Sequence, residues 1–281
     1  MLLTPVIGKT PLAPIWHATA IGFMANNVLP ARAGEVVKGW AATRLVRVPL
    51  ATALASIAVE RIFDGVAIGL LLALGIWAKQ FAGPATIGAT NLSALALTVS
   101  AVFVGILAFC LAVVRARSRV LPVLESLLRR ALSPHWAERA GRLLHALTDG
   151  LAVLHSTRDV LRVLTWSFAL WLVNASSYLA AYRAFASAYA GFPHLPPTST
   201  FLLQGITALG VAIPAAPGFF GTFELAAKTA LALYGVPGSA AVSLAIGIHM
   251  GWFVPITAIG LWYLGKSGLS LRELRAAQAS A

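Results

Sequence analysis

The chain has 281 residues, 59% of them hydrophobic and only 11% charged, with a formal net charge of +12. Soluble domains carry about 25% charged residues, so this composition excludes an ordinary water-soluble fold. A mean hydropathy of +0.82 and apolar runs near the ~20 residues that cross a bilayer predict an all-α, polytopic helical membrane protein. About 6–7 membrane segments are expected, some of them short or re-entrant broken helices.

A β-barrel is excluded because the apolar runs lack a period of two. In a soluble protein the positive charge would suggest nucleic acid. Here the basic residues fall mostly in loops and one terminus, so they read as topology signals facing anionic headgroups. Cys110 is the single cysteine and lies within an apolar run, which leaves no disulfide framework or thiolate metal site. Residues 1–10 lack the apolar core and small-residue cleavage site of a signal peptide.

In chain order, residues 11–29 form the first apolar segment, just long enough to span, with His17 and the pair Asn26-Asn27 near its ends. Pro30 is expected to begin a short helix to about Val46. Arg32, Lys38, Arg44 and Arg47 spread along it suit an interfacial or re-entrant helix. Pro49 can open the next helix, which runs to about Ala78 and carries Glu60, Arg61 and Asp64. Residues 79–91 form a Gly/Pro/Thr/Asn loop, and residues 92–114 are an uninterrupted span.

Residues 115–160 are the long hydrophilic segment, with Arg115, Arg117, Arg119, Arg129, Arg130, Arg139, Arg142 and Arg158 against four acids. Leucines at helical spacing predict two amphipathic helices split at Ser133-Pro134, lying along the membrane as a cytoplasmic cap. Residues 161–190 form another span, with Trp166, Trp171, Tyr178 and Tyr182 partly as interfacial anchors. Residues 198–213 and 222–234 are both shorter than the ~17 residues at the lower limit for crossing. Between them lies a Pro/Gly break holding Pro214, Pro217, Gly218 and Gly221. The last span covers 239–264, with Pro255 as an expected kink.

Basic residues set orientation: 32–47, 115–158 and the C-terminal tail are expected on the cytoplasmic side, and the loops 79–91 and 191–197 outside. Counting crossings then puts Met1 outside, which leads to the expectation of a further span before it. The pair at 198–234 either crosses twice or enters and returns.

Of nine acidic residues, Glu35, Glu60, Asp64 and Glu224 lie in or against apolar segments. An ionisable group at mid-membrane costs about 2.5–3.5 kcal/mol on insertion scales, so such groups are rarely idle. Glu60 and Asp64 share a helix face, and Arg61 reaches Asp64 at i,i+3. This is either a buried ion pair that fixes packing or a polar lining for a headgroup, counter-ion or proton. Glu224 and Lys228 are also four apart, which makes them either a simple i,i+4 pair or members of the same polar lining. The two broken regions resemble each other: Pro30, Gly34-Glu35 and Lys38 echo Pro214, Gly221, Glu224 and Lys228. Paired breaks of this kind point to a transporter-like site, where free helix N-termini favour anionic groups.

Enzyme signatures are missing. His17, His135, His145, His155, His194 and His249 have no paired ligand spacing, and no nucleophile elbow, P-loop or dinucleotide fingerprint appears. No metal and no cofactor is expected. A lone His249 inside a span reads as a packed or hydrogen-bonded residue.

Three motifs occur in order: Asn26-Asn27-x-Leu29-Pro30-Ala31-Arg32-x-Gly34-Glu35, then Glu60-Arg61-x-x-Asp64, then Pro214-x-x-Pro217-Gly218-x-x-Gly221-x-x-Glu224. Together they resemble the lysylphosphatidylglycerol synthase transmembrane region, the flippase-like UPF0104 family, over about residues 11–264. The resemblance implies an inner-membrane, multi-pass protein with a cytoplasmic C-terminus, forming one domain over 1–281. Members usually carry a helix before the asparagine-proline motif, which agrees with the expected further span. The soluble aminoacyltransferase domain of the bifunctional synthases does not follow in this sequence, so no aminoacyl-transfer activity is expected.

The leading function is a lipid transporter that binds and translocates a phospholipid, anionic or aminoacylated. Asn26, Asn27, Arg32, Glu35, Lys38, Glu60, Arg61, Asp64, Pro217, Gly218, Gly221, Glu224 and Lys228 form its candidate substrate site. The alternative is a non-transporting accessory subunit of a lipid- or glycan-modifying enzyme, docking that partner on 115–158.

Overall fold

Two glycines decide how the described chain begins. Helix α1 (Leu12–Val28) and helix α2 (Gly34–Val46) run antiparallel at backbone contact. A Cβ at Gly22 would sit 2.6 Å from the Lys38 Cβ, and one at Gly34 would strike the Asn26 side chain and the Gly22 carbonyl. Between them the chain turns with Arg32 at a φ of 54°. Ala33 offers no capping side chain. Instead Asn26 reaches over from α1, and its Oδ1 accepts the Gly34 N–H at 2.7 Å, satisfying one orphan amide of the α2 terminus. With 17 and 13 residues, the two arms are about 25 and 20 Å long, short of the ~30 Å hydrocarbon core.

The computed structural model describes residues 2–3, 8, 12–30, 32–78, 86–87, 90–131, 133–189, 192–212 and 216–274. After the first hairpin, α3 (Leu50–Trp77) follows Pro49. At 28 residues it is about 42 Å long. Two-residue strands β1 (Thr86–Ile87) and β2 (Thr90–Asn91) pair antiparallel, a small departure from the loop expected there. The Asn91 side chain then caps α4 (Leu92–Arg115), accepting from Ser93 and Ala94 at 2.9 and 3.1 Å.

The hydrophilic segment folds as expected into two amphipathic helices, α5 (Arg117–Ala131) and α6 (Pro134–Gly150), with Pro134 opening the second. A 3-10 turn, Ala152–His155, leads into α7 (Thr157–Ala188). Helices α8 (Ser199–Ala212) and α9 (Thr222–Ala232) are short and antiparallel, packed so closely that a Cβ at Gly210 would lie 2.5 Å from Ala226. A 3-10 turn, Pro217–Phe219, lies between them, while the expected break at Pro214 falls outside the described residues. Helix α10 (Gly238–Lys266) contains Pro255 and closes the bundle.

Helices α4, α7 and α10 are long and apolar enough to cross a membrane, and α3 matches them in length while carrying three ionisable residues. The chain is therefore a polytopic helical membrane protein. Most of α4 faces outward, with Leu97, Val102, Val104 and Phe109 exposed, as a lipid-facing span requires.

The hairpins approach each other from opposite ends of the bundle. His17 of α1 stacks on Tyr263 at 3.9 Å between ring centroids, and Gly260 packs on Met24 and Ala20. The open end of the α1–α2 hairpin therefore lies beside the C-terminus of α10. In the α8–α9 hairpin, Gly205 faces Leu72 and Leu202 faces Gly75, so its open end lies beside the C-terminal part of α3. This corrects two expectations. The helix after the first break starts at Gly34, not Pro30. Arg32 and Arg47 also flank opposite ends of α2, about 20 Å apart along its axis, so residues 32–47 do not share one membrane face. Because α1 is one arm of a hairpin, it does not carry the chain across to the face of Arg47.

Candidate functional site

Where the tips meet, Arg32 makes a long-range contact. The Arg32 guanidinium donates to the Ala212 carbonyl at the end of α8 at 2.9 Å. It also lies over the Phe219 ring, 5.8 Å from the centroid. Helix C-termini present free carbonyls, and a cation there is favoured by the helix dipole. One arginine on the first tip thus engages both sides of the second. Glu35 sits one turn on, 3.5 Å from Arg32.

From this point a chain of ion pairs runs into α3. The Lys38 ammonium holds both Glu60 oxygens, at 2.6 and 2.9 Å. Arg61 contacts Glu60 at 2.6 Å and Asp64 at 3.2 Å, the latter being the i,i+3 contact expected from the spacing. Asp64 ends the chain by accepting from the Trp171 indole N–H at 3.0 Å and the Ser167 hydroxyl at 3.3 Å. Glu60 to Asp64 stand ten to fourteen residues into α3, about 15–21 Å along it, near its middle.

Three cations (Arg32, Lys38, Arg61) face three carboxylates (Glu35, Glu60, Asp64), so 3 − 3 = 0 and this layer is neutral. Opposite charges held in contact offset the cost of desolvating each alone. The Arg61 Nε, Asn27 Oδ1 and Gln204 Oε1 atoms remain buried without a hydrogen-bond partner, which leaves polar capacity inside the layer.

A second cluster joins α9 to α10. The Glu224 Oε1 bonds His249 Nδ1 at 2.5 Å, and the other Glu224 oxygen accepts the Gly221 N–H at 2.6 Å. His249 is fully buried, and its Nε2 donates to the Gly218 carbonyl at 2.8 Å. Of the two readings of Glu224 and Lys228, the i,i+4 pair is not formed: Lys228 is exposed and forms no salt bridge among the described residues. Glu224 turns inward because it caps its own helix and meets an imidazole across the interface. Gly218 has a φ of 70° and Gly221 of 85°, backbone states that favour glycine. Pro217 opens the turn that carries Gly218.

The two clusters are linked through α1 and α10. Asn27 donates to the Thr257 hydroxyl at 2.7 Å and to the Phe253 carbonyl at 3.4 Å, while Phe253 packs edge-on against His249. Asn26, in contrast, serves the α2 cap. Trp171 is another correction: it binds Asp64 rather than anchoring at an interface, and Tyr178 and Tyr182 are buried. Sequence spacing missed His249, Trp171, Ser167 and Thr257 as partners. Their signal was a polar group inside an otherwise apolar helix.

A cavity of about 250 Å³ lies between α1, α2, α3 and α7. Thr19, Lys38, Ser56, Glu60 and Ser167 are among its polar members, and Ile15, Ala42, Ile57, Val163 and Leu170 belong to its apolar wall. That volume is slightly below the usual range for small-ligand pockets, about 300–1,000 Å³. It suits a headgroup or part of an acyl chain rather than a whole lipid. A larger open groove of about 540 Å³, with Arg115, Arg117, His145 and His155 along it, lies where α4 meets the amphipathic pair, away from this polar layer.

The family model described as "Lysylphosphatidylglycerol synthase TM region" matches residues 1–260. No curated protein and no solved structure matches the chain.

Proposed function

Because the chain belongs to the lysylphosphatidylglycerol synthase transmembrane-region family, we propose that it binds and translocates a phospholipid, anionic or aminoacylated, between leaflets. The observation that carries this reading is the cavity in which the Lys38–Glu60 pair faces an otherwise largely apolar wall. A polar lipid presents the same division, with charge at one end and hydrocarbon at the other. Lys38 would meet the phosphate, and Glu60 would meet a cationic headgroup amine.

The two hairpins support the reading. Irregular backbone at membrane depth is stable only when it is buried in protein or lines a polar cavity, and discontinuous helices meeting near the midplane are a common way to build a substrate site. In this proposal the chain transfers no aminoacyl group and needs no metal or cofactor. The arginine-rich helices α5 and α6 and the α10 C-terminus face the cytoplasm in the inner membrane, because basic loops are retained on that side.

The test is reconstitution in vesicles with headgroup-labelled phospholipids. Leaflet exchange should fall at least about tenfold, equivalent to about 1.4 kcal/mol, in Glu60→Gln and in Lys38→Met. Exchange at the wild-type rate in both variants would sink the assignment. Capture of a modifying enzyme on α5 and α6 by a chain that exchanges no lipid would favour the accessory-subunit reading instead.

A further inference from the structure

The Glu224–His249 contact fixes a proton count. The Gly218 carbonyl can only accept, so His249 Nε2 carries a hydrogen in its 2.8 Å bond. His249 Nδ1 and Glu224 Oε1 then face each other in a second hydrogen bond, which requires one more proton between them. Whether that proton sits on the imidazole or on the carboxyl, the pair is neutral. Without it, a nitrogen lone pair opposes a carboxylate and the contact is repulsive.

The surroundings isolate this proton. Among the described residues no ionisable side chain other than Glu224 lies within salt-bridge distance of His249. The rings of Phe220, Phe223, Trp252 and Phe253 pack around the imidazole. On α9 the next charge is Lys228, on the exposed side. From the first hairpin, Arg32 approaches only as far as the Phe219 ring. α1 contributes the neutral Asn27, bonded to α10 at Phe253 and Thr257.

The same pair fastens the second tip to α10 at two points. His249 holds the Gly218 carbonyl and the shared bond joins α9 to α10, while the other Glu224 oxygen caps its own helix at the Gly221 amide. We propose that Glu224 and His249 form a proton-binding site whose occupancy keeps the tip of the α8–α9 hairpin docked on α10. When the proton leaves to water, it leaves a carboxylate and a neutral imidazole that still carries the Nε2 hydrogen. The tip then loses one of its two bonds to α10 and keeps only the Nε2–Gly218 bond, which loosens the seat that Arg32 grips at Ala212 and Phe219. This inference rests on the lipid-transport reading only for its consequence, that proton release accompanies lipid movement.

Two measurements on the full chain test it. Histidine-selective ¹⁵N NMR in nanodiscs, from about pH 5 to about pH 9, spans the range of imidazole titration, with His249→Asn identifying the signal. The expected result is a protonated Nε2 throughout and an Nδ1 resonance that shifts in Glu224→Gln. An unprotonated Nε2, or an Nδ1 signal unchanged in Glu224→Gln, overturns the proton site whatever the chain does to lipids.

The second measurement is lipid exchange in vesicles under a one-unit pH gradient. One coupled proton biases it by up to about tenfold. The bias should vanish in Glu224→Gln and His249→Asn. Wild-type exchange that ignores the gradient overturns the coupling. Absence of exchange at any pH counts against the transport reading, while the NMR result stands by itself.

Discussion

Arg32 and Ala212 are 180 residues apart in sequence and 2.9 Å apart in space. Their bond joins the tips of two hairpins that approach from opposite ends of the bundle. A hydrogen bond from a charged donor contributes about 1.5–3 kcal/mol, and the stacking of Arg32 on Phe219 adds to it. Arg32→Gln should therefore lower the midpoint of thermal unfolding and reduce lipid exchange. Arg32→Lys keeps the charge but loses the planar fork, so it should recover only part of both. Equal behaviour of the two variants in thermal scans and exchange assays would mean that charge alone matters there.

The Lys38–Glu60 pair is partly buried, with side-chain exposures of 17% and 30%. Removing one partner strands the other against Arg61 or the cavity. Lys38→Met alone and Glu60→Gln alone should each destabilise the chain by about 1–3 kcal/mol, less than the range for fully buried pairs. The double variant should be more stable than the sum of the singles predicts. A double-mutant cycle by chemical denaturation in detergent measures this coupling, and strict additivity would mean that the pair acts independently.

Trp171 gives its indole hydrogen to Asp64. Trp171→Phe keeps most of the ring volume and removes the donor, leaving Asp64 with Arg61 and Ser167. A loss of about 1–2 kcal/mol in stability is expected. Trp171→His, which offers a new ring N–H, should restore part of it if the bond rather than the packing matters.

Two glycine substitutions separate close approach from helix propensity. Gly34→Ala would drive a methyl group into the Asn26 side chain and the Gly22 carbonyl, whereas a methyl group at Gly247 meets nothing within 4 Å. Gly247→Ala should be neutral or stabilising by up to about 1 kcal/mol, while Gly34→Ala should open the α1–α2 hairpin. Expression level and thermal stability of the two variants give the comparison.

The tail offers a pH effect outside the membrane. Glu273 accepts from the Ser270 hydroxyl and amide at 2.8 and 2.7 Å. These bonds hold its carboxyl below the usual carboxylate range, with Arg44 adding to the shift. A lowered folded-state pKa contributes stability above the unfolded pKa and loses it as pH falls through the folded value. Acidification below about pH 4 should thus loosen residues 270–274, including the buried Leu274. Limited proteolysis of the tail at graded pH should show this, and Glu273→Gln should show the same cleavage at neutral pH.

Much of the local structure was legible in the sequence. Apolar runs gave the long helices, Pro134 and the leucine spacing gave the amphipathic pair, and i,i+3 spacing gave Arg61–Asp64. These depend on neighbours along one helix, and a helix repeats them with a fixed geometry. The polar groups within apolar helices could likewise be picked out, because membrane insertion penalises each of them.

Partners across helices were not legible. Spacing offered Lys228 to Glu224, but packing rotated the carboxylate toward His249, 25 residues away. Trp171 read as an interfacial anchor, yet the position of α7 beside α3 brought it to Asp64, 107 residues away. The short pair at 198–234 could have crossed or returned, and the close contact at Gly210 folds it back as a hairpin, as those at Gly22 and Gly34 do for the first pair. Sequence alone determined which segments are helical and which of them carry charge into an apolar setting, since both follow from local periodicity and composition. Only the tertiary structure decided which charges meet, because that depends on the rotation and crossing of whole helices, set by backbone contacts between residues far apart in the chain.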